Sequence, residues 1–528
     1  MKNVKIIDLY NSQDNSVAKD CEVCIVGGGA AGIYLATELA KKGVDTILLE
    51  AGGKTTTNST SAGFDINSEG ELYLGATKGR YFGLGGTTAH WGGVLVPHTK
   101  YDLRSVNDTF DVWKHIIDIV DSKSETVLRK LGWKKDSGFI NFLNSKVIRC
   151  QKLVNPSGIK LISDLSLPFR KKNFIFLLNR LSKNNKKLQI YINSVVYDWK
   201  SSKYTTKEQV QSIKAKSING NQIMVNAEKY IISAGAIESA RILLELNHSS
   251  GRSVIKDTAA VGNYLSDHIS IPVAKVDRAS NKKVIKYFSP YFSHGWLRSF
   301  RFIESSDDYE VLRNFFHFVY KNESVGFSLA KEFLTAIQNK RKPKITIKFI
   351  ISGILGIIKL GFYRYIFSVL HIPKNTEILL RLDIEQYPSR DSRIKLGEEL
   401  DKYGRQIATI KWRVSEKDIQ NIKLIKEKFL KKFSEIKEIK LHALDDDENI
   451  FKSSDAYHPV GTCCMGKKKE SVVDENLKVY STKNLWVVST GVLPSAGTAN
   501  PTFTMLCLAD RLVEQITQKR LRNGKKYE

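Results

Sequence analysis

The sequence predicts an α/β chain in which a doubly wound, mostly parallel sheet is interrupted by an inserted α+β domain. Three observations predict it. First, the apolar run Glu22–Val26 passes through GGGAAG into IYLATELAKKG, which has helical spacing and ends at Gly43. DTILLE follows as a second strand, so β-turn-α-β is complete in under 30 residues. Second, the buried-strand pattern returns at Lys229–Ala234, with a helix start at Ala236–Leu244, and again near Leu485. Third, the pattern changes between about 271 and 450, where two extended runs, Glu377–Gln386 and Gln406–Trp412, precede a charged helix around Glu416–Phe433.

The remaining elements fit that frame. Gln189–Trp199 reads as one strand, Ser212–Ala227 alternates like a hairpin, and Phe503–Ile516 reads as a C-terminal helix. Residues from about 100 to 190 are mostly helical in pattern. A chain of 528 residues exceeds what one core usually organises, so two domains are expected. The nucleotide-type domain takes 18–100, 190–270 and 455–520, and the inserted domain takes 101–189 and 271–454.

Composition excludes several classes. With 42% hydrophobic and 26% charged residues the chain is globular and not disordered. A formal charge of +27 suggests an anionic partner, although the cations are spread along the chain as in a Lys-, Asn- and Ile-rich composition. Six scattered cysteines do not make a disulfide framework, and Cys21 and Cys24 are expected to pack in the core. The N-terminus shows no export signal, so a cytoplasmic location is expected. Ile345–Leu370 is apolar but broken by Lys348, Lys359 and Arg364. It reads either as a buried core helix or as a helix in a membrane interface, peripheral on the inner face.

Gly27, Gly29 and Gly32 form G-x-G-x-x-G between strand and helix. Gly27 permits the turn, Gly29 lets backbone approach a pyrophosphate, and Gly32 lets the helix pack close to the strand. The helix N-terminus offers free N–H groups to phosphates. Glu50, at the end of the second strand, is placed to accept from ribose hydroxyls. These features predict a dinucleotide without separating FAD from NAD. No His, Cys and carboxylate set has metal-ligand spacing, so no metal is expected.

The segment Arg80–Gly93, RYFGLGGTTAHWGG, resembles the flavin-binding loop of the glucose–methanol–choline (GMC) oxidoreductases. Ile231–Leu244, Val261–His268 (VGNYLSDH), His458–Gly466 (HPVGTCCMG) and Asn484–Thr504 resemble further signatures of that family, in its order. The resemblance implies a Rossmann-like FAD-binding domain, an inserted substrate domain built on an antiparallel sheet with helices, and oxidation of an alcohol. It carries cofactor contacts to Ala31, Gly32, Arg80, Gly85, Gly86, Thr87, His90, Trp91, Gly92, Ala234, Gly235 and Pro501, and an adenine contact to backbone near Val195 and Val196. Ser489 stands where the family often has Asp, which alters flavin contacts.

His90-Trp91 looks more like the pyranose oxidase and sugar dehydrogenase branch. It leaves a covalent bond from His90 to the flavin open beside a non-covalent contact. The resemblance makes His458 the base and Asn500 its hydrogen-bonding partner, and it gives His268 no catalytic role. A histidine suits a base because its ordinary pKa of about 6.5 lies near working pH. The expected substrate is a sugar, polyol or glycan alcohol. The acceptor is a quinone, a carrier or oxygen, a dehydrogenase being preferred. A non-redox FAD-containing lyase of the same fold is one alternative. A membrane- or nucleic-acid-binding protein, suggested by charge alone, is another, with nucleic acid not favoured.

Overall fold

The computed structural model describes residues 4–13, 15–104, 111–134, 145–182, 185–251, 254–256, 259–304, 312–338 and 342–524. Parts of the helical reading between 100 and 190 lie outside the described residues. The largest sheet has eight strands. Five run parallel, in the order Lys5–Asp8, Leu188–Ile192, Thr46–Leu49, Ser16–Val26 and Gln222–Ile232. Leu485–Val487 pairs parallel with the last residues of Gln222–Ile232. The first half of Gln222–Ile232 turns the sheet into an antiparallel meander through Lys207–Lys216 to Val195–Tyr204.

Two strands therefore replace the single one expected at Gln189–Trp199. The chain breaks at Asn193, whose φ of 54° ends the parallel strand Leu188–Ile192. The chain restarts at Val195 in the meander. An asparagine tolerates that left-handed conformation better than a branched residue would. The helix Ala30–Lys41 packs on the parallel sheet with Ile33, Leu35 and Ala36 fully buried.

The second sheet is antiparallel and six-stranded, in the order Leu441–Ala443, Ile269–Val276, Glu377–Ile384, Asn314–Lys321, Phe300–Glu304 and Ile159–Ser163. The helix Glu416–Phe433 covers one face. It starts in a reciprocal capping box between Ser415 and Asp418. Its Phe429 ring stacks on Phe316 at 3.6 Å, and Phe433 meets Phe302 edge-on at 5.8 Å. The two parts are stitched together: Ile66–Gly70 pairs with Gln406–Trp412, and Val94–Leu95 with Leu165–Ser166.

Ile347–Ile366 is a 20-residue helix. The reading of it as a core helix is wrong, because Gly353 alone among its residues is buried. Cys21 and Cys24 share one strand beside the core, and burial pushes the Cys21 thiol up to about 12, so it stays protonated and unreactive.

Candidate functional site

A cavity of about 600 Å³ opens where the glycine turn, the Arg80–Gly93 loop and the N-termini of three helices converge. Gly27 takes φ 105°, and a Cβ on it would meet the Ser233 carbonyl oxygen at 2.7 Å. A Cβ on Gly32 would lie 1.8 Å from the Gly27 carbonyl oxygen, so only glycine lets the helix approach. Gly29 is the N-cap of Ala30–Lys41 and no side chain caps it. The helix Gly235–Ser249 likewise begins uncapped by any side chain, at Ala234. Two helix ends thus aim positive dipole ends and backbone N–H groups at one space.

Of the residues expected to hold a cofactor, Gly27, Gly29, Ala31, Glu50, Arg80 and Gly86 line this cavity, as do Thr87, His90, Trp91 and Gly92. Val196, Ala234, Gly235, Ser489 and Pro501 line it from the other side. Gly32 and Gly85 do not reach it. Gly32 acts in packing, and Gly85 holds a left-handed turn of φ 94° against Asn173.

Two of these lining side chains also bind protein. The Glu50 carboxylate accepts from the backbone N–H groups of Gly28 at 2.6 Å and of Gly52 and Gly83 at 2.8 Å each. It clasps the glycine turn to the Arg80–Gly93 loop and keeps about one lone pair of four for anything else. Arg80 donates to Glu238, at 2.8 Å, and to the carbonyls of Phe64 and Ala76. Its guanidinium is a strut of the wall, with its fork spent on protein. Trp91 gives its indole N–H to the Lys172 carbonyl, which leaves its ring as the exposed surface.

His90 stacks on Tyr81 with ring centres 3.7 Å apart, and its Nε2 pairs with the Thr56 hydroxyl at 2.9 Å. Partial burial holds its pKa below the ordinary imidazole value. The Ser489 hydroxyl is buried, faces this cavity and has no hydrogen-bond partner among the described residues. A buried hydroxyl without a partner costs free energy unless a ligand supplies one. The uncapped helix ends, the open space over Gly29 and this hydroxyl all fit a dinucleotide cofactor.

A second cavity of about 280 Å³ lies against the six-stranded sheet. Phe288, Phe300, Phe315 and Phe318 wall it, with Asp164, Arg301, His317, Asp383 and Tyr320 among them. His458 and Asn500 belong to both cavities and form the partition between them.

The hydrogen bonds at that partition have only one direction. His268 Nε2 lies 2.7 Å from the Gly497 carbonyl oxygen, which can only accept, so Nε2 carries hydrogen. Neutral His268 then presents Nδ1 as an acceptor. His458 Nδ1, 3.1 Å away, must donate to it. His458 Nε2 is left with a bare lone pair, and the Asn500 amide NH₂ approaches it at 3.2 Å. The Asn500 carbonyl oxygen accepts from Arg301, which can only donate. A carbonyl at one end and a guanidinium at the other therefore fix two tautomers and one amide orientation.

Burial, with His268 and Arg301 close by, pushes the His458 pKa down to about 3 against the pull of Asp383. The imidazole is neutral before any ligand arrives. Asp267 fixes the backbone by accepting from the His458 N–H at 2.8 Å, the His268 N–H at 2.7 Å and the Tyr73 hydroxyl at 2.7 Å.

The structure brings together what sequence spacing hid. Asp267, His268 and His458 bring three metal-capable atoms within 4.8 Å of one another. Those atoms are engaged in the hydrogen bonds just described. His268, set aside in the sequence, orients the His458 ring from 190 positions away. Arg301 and Tyr320 were also missed. Their only signal is a polar residue set among phenylalanines in an alternating strand. The Tyr320 hydroxyl is buried at the smaller cavity with no partner among the described residues.

Residues 20–68 match the family of FAD binding domains, and the chain is an FAD-binding flavoprotein with an α/β fold. Residues 388–509 match the GMC oxidoreductase family. The two matches together support a GMC-family FAD oxidoreductase.

An alcohol dehydrogenase (acceptor) from Pseudomonas putida is 40% identical over 63 residues, 12% of this chain and 11% of that one. The GMC oxidoreductase family protein Mala s 12 from Malassezia sympodialis is 28% identical over 309 residues, 53% and 48% of the two chains. The chain thus spans between about a tenth and about half of the length of these curated relatives. Among solved structures, a pyridoxine 4-oxidase from Mesorbium loti is 16% identical and superposes with a TM-score of 0.57 over 94% of this chain and 99% of its own. A formate oxidase from Aspergillus oryzae RIB40 is also 16% identical, with a TM-score of 0.55 over 96% and 99%. These two likenesses are of fold.

Proposed function

We propose that the protein oxidises an alcohol to a carbonyl compound with FAD as the two-electron acceptor. The observation that carries the reading is the partition: a neutral imidazole with an oriented lone pair stands between a dinucleotide-shaped cavity and a smaller aromatic one. The alcohol sits in the smaller cavity. Its hydroxyl proton passes to His458 Nε2 as the O–H bond breaks. The Asn500 NH₂ donates to the same oxygen and offsets its developing charge without competing for the proton. Bound FAD supplies the hydride acceptor, N5, so the alcohol loses two electrons and the cofactor gains them. Helix N-termini, the glycine turn and the Ser489 hydroxyl hold that cofactor, with Glu50 and Arg80 shaping the wall behind it.

The small cavity lies near the low end of the ~300–1,000 Å³ usual for ligand pockets, which favours a small alcohol. Aromatic faces beside Asp164, Asp383 and the Tyr320 hydroxyl suit a sugar or polyol ring, with apolar faces against phenylalanine and hydroxyls against charge. A dehydrogenase that hands electrons to a quinone or carrier, at the inner face of a cell membrane, fits the strongly basic surface better than an oxidase does.

An anaerobic screen of sugars, polyols and glycan alcohols tests the reading. Loss of the yellow flavin absorbance with one of them is the expected result. Turnover of a substrate with unchanged absorbance would favour the lyase.

Two further outcomes are expected. Bleaching needs His458 neutral, and a depressed pKa keeps it neutral, so the rate holds from pH 8 to about 5 and falls only as pH drops toward the imidazole's own value. His268→Leu removes both the acceptor for His458 Nδ1 and a neighbouring imidazole that disfavours charge. It should slow bleaching about tenfold and move the acid limb to higher pH. An unmoved limb would reduce His268 to packing. For His90, whose Nε2 is held by Thr56, acid precipitation should release the flavin into the supernatant; a yellow pellet would establish a covalent bond.

A further inference from the structure

The helix Ile347–Ile366 is long and apolar enough by composition to cross a bilayer, yet only 6% of its most apolar window is buried. Most of its exposed apolar side chains form one stripe. Ile347, Ile351, Ile354, Leu355, Ile358 and Phe362, then Tyr365 and Ile366, fall within an arc of about 120° at 100° per residue. Ile351, Leu355 and Tyr365 are 68, 70 and 80% exposed. Soluble proteins rarely leave so continuous an apolar strip in water.

The opposite side of the helix is already used. Gly356 packs on Gly326 of the helix Val325–Gln338 so closely that a Cβ on Gly326 would lie 2.5 Å from the Gly356 Cα. The pair is a tight hairpin with its outer face unpartnered among the described residues. From Phe333 to Thr376 the sequence holds eight Lys and Arg residues and no Asp or Glu. Lys348 and Lys359 border the stripe on the helical wheel, where long side chains can lay their stems on the apolar surface and lift their charges to a polar layer.

We propose that this hairpin docks the protein on an anionic lipid bilayer, with the stripe sunk at the boundary of the acyl chains and the lysines among the headgroups. The charge separates the possible occupants. A second copy would bring eight more cations against these eight with no acid in the segment to offset them, whereas anionic headgroups supply the missing charge. Lys359 at mid-helix and a partner helix of only 14 residues suit a hairpin lying in the interface over one crossing the bilayer.

The root of the hairpin reaches the small cavity. The Phe292 N–H donates to the Ser368 carbonyl at 2.7 Å and the Leu370 N–H to the Pro290 carbonyl at 2.8 Å, and Pro290 lines that cavity. Docking therefore holds the proposed alcohol site near the bilayer, where a membrane-dissolved substrate or acceptor is concentrated. This last step rests on the oxidoreductase reading, while docking itself does not; vesicle flotation reads one and flavin bleaching the other.

The test uses full-length holoprotein with vesicles of phosphatidylcholine alone or with about 30% phosphatidylglycerol. Flotation with the anionic vesicles is expected, at least about tenfold above the neutral ones. The triple variant Ile351→Glu, Leu355→Glu, Ile358→Glu changes only exposed positions and should lose flotation while keeping its flavin spectrum. Lys348→Glu with Lys359→Glu should weaken it about tenfold. Ile358→Trp should shift its fluorescence to the blue on anionic vesicles. Equal flotation of the triple variant and the wild-type chain would overturn the proposal, since general surface charge would then suffice. So would absence of flotation together with a dimer, seen by ultracentrifugation, that the triple variant dissolves.

Discussion

His458→Ala should keep its FAD and lose alcohol-driven bleaching by roughly 10²–10⁴-fold, the range a positioned general base supplies. Retention follows from where the imidazole stands. It is at the edge of the large cavity, while the glycine turn, the uncapped helix ends and the Ser489 hydroxyl proposed to hold the cofactor line it elsewhere. The loss follows from the direction of the hydrogen bonds. With the imidazole gone, the Asn500 amide still faces the partition and Arg301 still donates to its carbonyl, but no lone pair remains to take a proton. Asn500→Ala should cost less, about 10-fold to 10³-fold, because it removes charge stabilisation and leaves the base in place. Stopped-flow absorbance under anaerobic conditions reads both variants. Bleaching of His458→Ala at the wild-type rate would remove the imidazole from the chemistry.

The sequence displayed the parts of this fold that are local and hid those that depend on distant partners. Glu22–Glu50 was legible because apolar strands, a glycine turn and a helical period occur within a single segment. Glu416–Phe433 was legible as a charged helix from its own local pattern, and the structure adds the cap of Ser415 and Asp418 at its start. The run at Gln189–Trp199 was not, since its strand-like residues resume directly after Asn193 and Ser194 while the backbone changes direction within the sheet. The apolar content of Ile347–Ile366 is the same in a core helix and in an interfacial one, and only packing separates them. His268 carries no local sign of its task, because its tautomer is set by a carbonyl at Gly497, 229 positions away. The protein partners of Glu50 and Arg80 were not legible, because most of them arrive from other loops.

Glu50 shows how much that difference matters, and Glu50→Gln should weaken FAD binding by roughly 30- to 150-fold, about 2–3 kcal/mol. Two carboxylate oxygens accept three N–H groups, from Gly28, Gly52 and Gly83. An amide has one oxygen, and its NH₂ would point hydrogen at hydrogen against at least one of those donors. The group is buried, so water offers no easy substitute, and a buried donor left unpaired carries its full desolvation cost. The three donors belong to the glycine turn, the end of the second strand and the Arg80–Gly93 loop, which together wall the cofactor cavity. Their separation widens the cavity before any ligand enters, and binding then has to reassemble it. Fluorescence titration of the apoprotein with FAD measures the loss, and thermal unfolding should fall alongside it. A ribose-binding role alone predicts another pattern: weaker FAD binding with the apoprotein's unfolding temperature unchanged. That result would return Glu50 to the role its position in the sequence first suggested.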